Sequence, residues 1–431
     1  MLFKNITIID ENYEAQEHMN LLTDGKKITY IGKDMPAGYE GEIYDGSNKV
    51  AMPGFFNIHC HVPMTLIRGY GEGLPLHRWL HERMFPFEAL LTPEDMYWGG
   101  LLGMAEMIAS GAVSFTDMYM EMDGISKAVE ESGMKANLSH GCSAFSDDVH
   151  FTDVNGYKGI HYLMDYVKNA NHDRIIGDTS LHAEYTSTET LVHEIAQFAK
   201  ENHLNMHTHI SETQKEHEEC KQRRGGLTPV QFFNKCGVFD VPTTAAHCVW
   251  IEGEDFDIMK EKGVTACHCP SSNLKLGSGI APVKKMLEKG IRVGIGTDGA
   301  ASNNNLNSLE EVNLASILQK GANNDPLFLG PQQLLELACR NGALSQGRAD
   351  CGSIKVGNRA DIVVYDLDKP HLQPVFDVLS NIMYSAQSGD ICLSMIDGNV
   401  VYKNGVFTGI DLEKVLFHVN RIKDEKLAQL K

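Results

Sequence analysis

The chain has no stretch of about 18 uncharged apolar residues, which argues against a membrane-spanning helix. Its opening, Met1-Leu-Phe-Lys-Asn-Ile-Thr-Ile-Ile-Asp10, brings charge at once and has no cleavable apolar core, so it does not read as a signal peptide. None of the ten cysteines belongs to a CxxC pair or a dense framework. Reduced, mostly buried thiols and a cytoplasmic location are therefore expected. Basic residues are scarce. Lys and Arg number 38 against 57 Asp and Glu, a net charge of −19 that repels phosphate backbones and argues against nucleic acid as a partner. Several catalytic signatures are missing. There is no GxSxG elbow, and His193-Glu-Ile-Ala-Gln197 lacks the last histidine of HExxH. His182-Ala-Glu184 resembles the HxE of cytidine-type deaminases but has no P-C-x-x-C partner. Gly294-Ile-Gly-Thr-Asp-Gly299 fits GxGxxG, yet no acid about 20 positions later ends a second strand.

What is present is a core-forming chain of 431 residues, 42% hydrophobic with 40 glycines, too apolar to be disordered. Three zones separate by pattern. Short alternating runs (Phe3–Ile9, Lys27–Ile31, Glu42–Asp45) fill the first 50 residues. Strand-like runs return at Asp361–Tyr365, Ile391–Ile396 and Val400–Lys403, and Leu412–Leu430 has the spacing of an amphipathic helix. Between these zones lie eight β-like runs: Met52–His59, Val113–Met118, Lys135–His140, Ile175–His182, Asn205–Ile210, Thr243–Cys248, Val264–Cys269 and Ile291–Thr297. Helical segments separate most of them, among them Glu94–Ser110, Thr188–Asn202, Val283–Lys289 and Leu306–Lys320. Eightfold alternation predicts a (β/α)8 TIM-type barrel. A doubly wound sheet has the same local signal. Polar residues, however, gather at the C-terminal ends of the runs (His59, His61, Asp117, His140, His182, His209, His247, Asp298), where a barrel converges on one mouth.

Nineteen histidines make these ends worth reading singly. In His59-Cys60-His61 the imidazoles are two residues apart on a strand and share a face; they suit one metal ion, or are simply two partly buried histidines. His209-Ile-Ser-Glu212 pairs a metal-type ligand with a carboxyl suited to proton transfer; the glutamate equally suits a helix start. His207 is on the same face, either a competing ligand or a core residue lower down. His247 reads as a ligand-type or a structural histidine, Asp298 as a ligand or a helix N-cap. Taken together they put three imidazoles and a carboxylate at one mouth, a set that suits Zn²⁺, with Fe²⁺ as the other choice, and leaves a position for water.

The motifs Met52-Pro-Gly-Phe-Phe-Asn-Ile-His-Cys-His61, His209-Ile-Ser-Glu212, Ala246-His247-Cys248 and Gly296-Thr-Asp-Gly-Ala-Ala-Ser302 run in order along the chain. Cys269-Pro-Ser-Ser-Asn-Leu-Lys-Leu-Gly-Ser-Gly279 and Gly352-Ser-Ile-Lys-Val-Gly-Asn-Arg-Ala-Asp-Ile362 complete the set. With them the sequence resembles the amidohydrolase superfamily, and within it the S-adenosylhomocysteine/5′-methylthioadenosine deaminase group, related to guanine deaminases and chlorotriazine hydrolases. The resemblance implies a barrel over 52–350, a small β-sandwich domain built from 1–51 and 351–410, a closing helix over 411–431, and a homo-oligomer. It implies His59, His61, His209 and Asp298 as ligands of one divalent metal, with Glu212, His247 and Asp298 handling protons. Trp79 and Glu88 would cover the substrate and bind its ribose, and His182 would meet the purine. Members with two metals use a lysine of the fourth strand; none lies between Ile175 and Thr186, so one ion is expected.

Two departures stand out. His140 occupies the place of the group's tail-binding arginine, and Asn137–Gly159 contains no arginine, leaving Lys158 as a weak substitute. Glu184 replaces a usual proline and adds an acid near the expected mouth. The expected activity is hydrolytic deamination of an amino-purine nucleoside of the adenosine, methylthioadenosine, 5′-deoxyadenosine or S-adenosylhomocysteine type, with the departures favouring an uncharged 5′ group. In the expected mechanism the metal acidifies water, Asp298 and His247 take its proton, and Glu212 protonates the ring nitrogen. Alternatives are deamination of guanine, 8-oxoguanine, a pterin or a cytosine analogue, chlorotriazine hydrolysis, or a non-catalytic scaffold barrel.

Overall fold

A computed structural model describes residues 1–430. The middle of the chain forms eight parallel strands: Phe55–Cys60, Ala112–Tyr119, Lys135–Cys142, a fourth in two pieces (Ile175–Gly177 and Thr179–Leu181), Met206–Ile210, Thr243–His247, Thr265–His268 and Arg292–Ile295. Each pairs with its sequence neighbour. The ring is drawn together where the Asp298 N–H donates to the His59 carbonyl at 3.0 Å. Ringed by helices outside and packed within, the strands are buried on both faces, which is why they read as near-continuous apolar runs.

Helices start where the sequence supplies caps. Pro93–Ala109 opens with Thr92, whose hydroxyl accepts from the Asp95 N–H while the Asp95 carboxylate accepts from the Thr92 N–H. Such a cap contributes about 1 kcal/mol. Two of its glycines let the helix lie against the turn Val62–Ile67 that follows His61. A Cβ on Gly99 would fall 2.7 Å from the Leu66 side chain, and one on Gly103 2.6 Å from that of Val62. Helix packing thus holds the exit of the first strand in place.

The chain ends build a second sheet of nine strands, mostly antiparallel, in which Leu2–Ile9 and Lys49–Pro53 from one end meet Ile362–Asp366 and Ile391–Ile396 from the other. Phe3, Ile6, Ile8, Leu21, Ile362, Val364, Leu393 and Met395 share a separate apolar core. Its second strand, Ala15–Asp24, escapes sequence patterning because its first half is largely exposed and polar. The expected run Met52–His59 is divided: Met52 and Pro53 pair with Val363 and Ile362 in the terminal sheet, and the barrel starts at Phe55. Gly54 is the divide, since any Cβ there would sit 2.2 Å from Val113 Cγ1. The helix Leu412–Gln429 closes the described chain against Pro93–Ala109, with Lys426 paired to Asp95 at 2.8 Å. Among the described residues no helix is long and apolar enough to cross a membrane.

Candidate active site

His59, His61, His209, His247 and Asp298 come from four strand ends and meet at one place. The first strand turns Cys60 outward, its thiol toward the Thr116 carbonyl at 3.3 Å, and both histidines inward. His61 Nδ1 lies 2.6 Å from the Met118 carbonyl, and His209 Nδ1 2.6 Å from that of His182. A carbonyl only accepts, so each Nδ1 carries the proton and each Nε2 presents a lone pair. Those two Nε2 atoms face each other at 3.3 Å. Lone pairs at that distance repel unless something positive lies between them.

His59 completes the set. Its Nε2 is buried without a hydrogen-bond partner and stands 3.4 Å from Asp298 Oδ1, the oxygen that is also 3.3 Å from His61 Nε2. Burial alone would raise the Asp298 carboxyl, but the histidines around it hold it well below the usual carboxylate range. Burial likewise disfavours a charged His61, yet Asp298 draws its pKa up to about 9, so that only where no metal ion binds does a proton take the Nε2 lone pair, while burial pushes His59 down to about 3. An ionised carboxylate among imidazoles whose free lone pairs converge is a site short of one positive charge. The donor set therefore fits a divalent cation.

The backbone is strained where these groups are presented. Ser211, His247, Cys248 and Asp298 all have left-handed φ, between +49° and +71°. Non-glycine residues hold that region at a cost of about 1–3 kcal/mol each, which surrounding structure must offset. The N-cap reading of Asp298 does not hold: its carboxylate accepts from Gly299 N–H, Ser302 and Ser272, and the next long helix begins only at Ser308. Nor is Glu212 a helix-start acid. Thr213 caps that helix, and Glu216 accepts the Ser211 and Glu212 N–H groups at 3.0 and 2.8 Å, leaving the Glu212 side chain free for the cavity.

Burial raises the Glu212 carboxyl above its ordinary value, partly offset by the nearby His247, 3.9 Å away. Burial opposes charge on His247 as well, but Glu212 and Cys269 raise it to about 10. One segment, the start of the loop after the seventh strand, holds three of these groups at once. Ser272 donates to Asp298, Asn273 meets His247 Nδ1 at 2.9 Å, and Ser278 donates to Glu212 at 3.1 Å. The motif was visible in the sequence; its three separate partners were not. His207, left open between ligand and core residue, lies beneath His59 with its Nε2 2.8 Å from His59 Nδ1 and does not line the cavity.

The cavity over the cluster is lined by Trp79, Glu88, His140, His182, Glu212 and His247, with apolar walls that include three methionines. Glu88 is buried and accepts from the Tyr119 hydroxyl at 2.6 Å, a partner sequence reasoning missed. His182 is fixed by Thr186, 3.0 Å from its Nδ1. Three expectations need correction. Asp117 lies at a strand end but accepts from the Val62 N–H and does not line the cavity. Glu184 adds no charge to the mouth, because its fully buried carboxylate is clamped by Arg223 and by Arg224 at 2.7 Å. Lys158 stands in a neighbouring hollow with Glu121 and Asp123, His140 forming the shared wall.

A nearly closed ring of parallel strands with a histidine–carboxylate cluster and a buried acid at its C-terminal mouth defines a metal-dependent hydrolase barrel. The amidohydrolase family description matches residues 50–401, and the chain belongs to that family. It is 40% identical over 421 residues to a 5-methylthioadenosine/S-adenosylhomocysteine deaminase of Dictyoglomus turgidum, covering 98% of this chain and 97% of the relative. A 5′-deoxyadenosine deaminase of Methanocaldococcus jannaschii is also 40% identical, over 96% of this chain and 97% of its own. The crystal structure of an adenosine deaminase from Xanthomonas campestris with bound zinc superposes with a TM-score of 0.92 at 27% identity, covering 99% of this chain and 98% of that one.

Proposed function

We propose that this protein is a hydrolytic deaminase of adenosine-type nucleosides, releasing ammonia and leaving a keto-purine. The observation that carries the proposal is the buried Glu212, raised by desolvation and opening into a substrate-sized cavity beside the histidine–aspartate cluster. A carboxyl raised above its ordinary range is what protonation of a ring nitrogen favours.

His59, His61, His209 and Asp298 would hold the cation, which we take to be zinc. The chemistry such an ion supplies is Lewis acidity, bringing the pKa of water toward neutrality. The remaining work belongs to the chain. Asp298 accepts the proton of the attacking water, and His247, kept in register by Asn273, orients that water. Glu212 delivers a proton to the ring nitrogen next to the amine-bearing carbon, so negative charge does not build on the ring as oxygen adds. The same groups return a proton to the departing nitrogen, which leaves as ammonia. Trp79 covers the base, His182 meets it as well, and Glu88 accepts from the ribose hydroxyls with the oxygen that Tyr119 does not engage.

The test is ammonia release from a panel of amino-purine nucleosides, free purines, pterins and pyrimidines. Adenosine-type nucleosides should be turned over, and Glu212→Gln should lower kcat by about 10³-fold while retaining zinc. Ammonia only from free bases, or from nothing in the panel, rejects the proposal.

A further inference from the structure

The relatives' names join two nucleosides that differ at the 5′ position: one carries a small thioether, the other an amino-acid tail ending in a carboxylate. Resting on the deaminase reading above, we infer that this cavity discriminates between such tails by charge, accepting uncharged or cationic 5′ substituents and rejecting those that bear a carboxylate. Among the described residues no lysine or arginine lines the cavity. Its walls carry three carboxyl groups, Glu88, Glu212 and Asp298, and the half-buried lining side chains Leu76, Phe85, Met120, Ser143 and Leu276 are apolar or neutral.

The cations around the mouth are engaged elsewhere. Lys275, next to Leu276, pairs with Glu72 at 2.8 Å. Arg83 lies over the Tyr70 ring, 5.6 Å from its centre, and Arg78 pairs with Glu82. Arg223 and Arg224 are committed to Glu184. Lys158 shares its hollow with Glu121 and Asp123, on the far side of His140. Burial lowers the pKa of His140 and so disfavours its charged form. A tail carboxylate held away from the histidine–aspartate cluster loses water and finds no lysine or arginine in the lining to replace it. A methylthio group loses little and gains contact with the methionine and leucine side chains.

The experiment compares kcat/KM for four substrates: 5′-methylthioadenosine, S-adenosylhomocysteine, and the length-matched pair 5′-(3-aminopropylthio)adenosine and 5′-(2-carboxyethylthio)adenosine. Wild type should favour the aminopropyl over the carboxyethyl compound by about 100-fold, with S-adenosylhomocysteine also well below methylthioadenosine. The variant His140→Arg places a cation in the wall and should narrow the matched-pair ratio by about tenfold or more. Because both members are measured on one preparation, the ratio does not depend on how much of the variant folds. Equal rates on the matched pair in wild type overturn the inference while leaving the deaminase reading intact. Poor turnover of both members beside good turnover of methylthioadenosine also overturns it, since length and not charge would then be sensed. Ammonia from adenosine or 5′-deoxyadenosine but from none of the four overturns the inference, and no ammonia from any of these six rejects the deaminase reading itself.

Discussion

Two clusters of charge are buried in this molecule, and they are built on opposite plans. At the seam between barrel and terminal sheet, Lys135 Nζ lies 2.7 Å from Asp397 and against both carboxylate oxygens of Asp361. Arg359 backs Asp397 at 3.3 Å, and the Asp397 N–H donates to Asp361 at 3.0 Å. Burial disfavours the Lys135 charge, but Asp361, Cys351 and Asp397 outweigh it, so its pKa is raised. At the mouth, by contrast, His59 Nε2 has no partner, two imidazole lone pairs face each other, and four residues sit in left-handed backbone. Satisfied buried charge ties two units together. Unsatisfied buried charge is held open for a ligand.

The comparison is sharpened by changing one residue in each cluster. Asp298→Asn should have the largest effect: zinc retention falls and kcat/KM drops by about 10⁴-fold, while thermal stability measured without metal falls only modestly, because asparagine keeps an oxygen to accept from Gly299 N–H, Ser302 and Ser272. A melting temperature that collapses along with activity would make the mouth a structural cluster like the seam. Lys135→Met should do the reverse. Asp361 left without its cation, and Asp397 left to Arg359 alone, should cost about 3–5 kcal/mol in denaturant unfolding, with kcat per folded molecule unchanged.

His207→Phe tests the layer beneath the ligands. Losing the group that holds His59 Nδ1 should weaken zinc affinity by about 10–100-fold, read by competition with a chelator, and kcat should recover at saturating zinc. Ser278→Ala should have the smallest effect. The hydroxyl donates to Glu212 and favours its ionised form, so removing it raises the Glu212 pKa further. If protonated Glu212 is the active form, the alkaline limb of the kcat/KM profile moves to higher pH, by about half a unit to one unit. A shift to lower pH would contradict the assignment of Glu212 as the acid.

Much of the barrel was legible because it is local. A run such as Val113–Met118 declares a buried strand by composition, and His59 and His61 declare a shared face by spacing. The strand Ala15–Asp24 was not legible, since its exposed half carries no alternation against a core. Glu184 and Lys158 show the other limit. Each lies at the expected place along the chain, yet Arg223 and Arg224 turn one away and the wall of His140 separates the other. Their neighbours come from chain segments that spacing does not connect.

By itself the sequence determined which strand ends carry metal-type ligands, which carry acids, and that eight such strands alternate with helices. These are consequences of side-chain periodicity, a property of a few consecutive residues. Only the tertiary structure decided that His207 supports His59, that one segment grips Asp298, His247 and Glu212, and that no lysine or arginine among the described residues lines the cavity. Those facts depend on segments far apart in the chain being pressed together by a common core, and no local pattern records which side chain such packing leaves unpartnered.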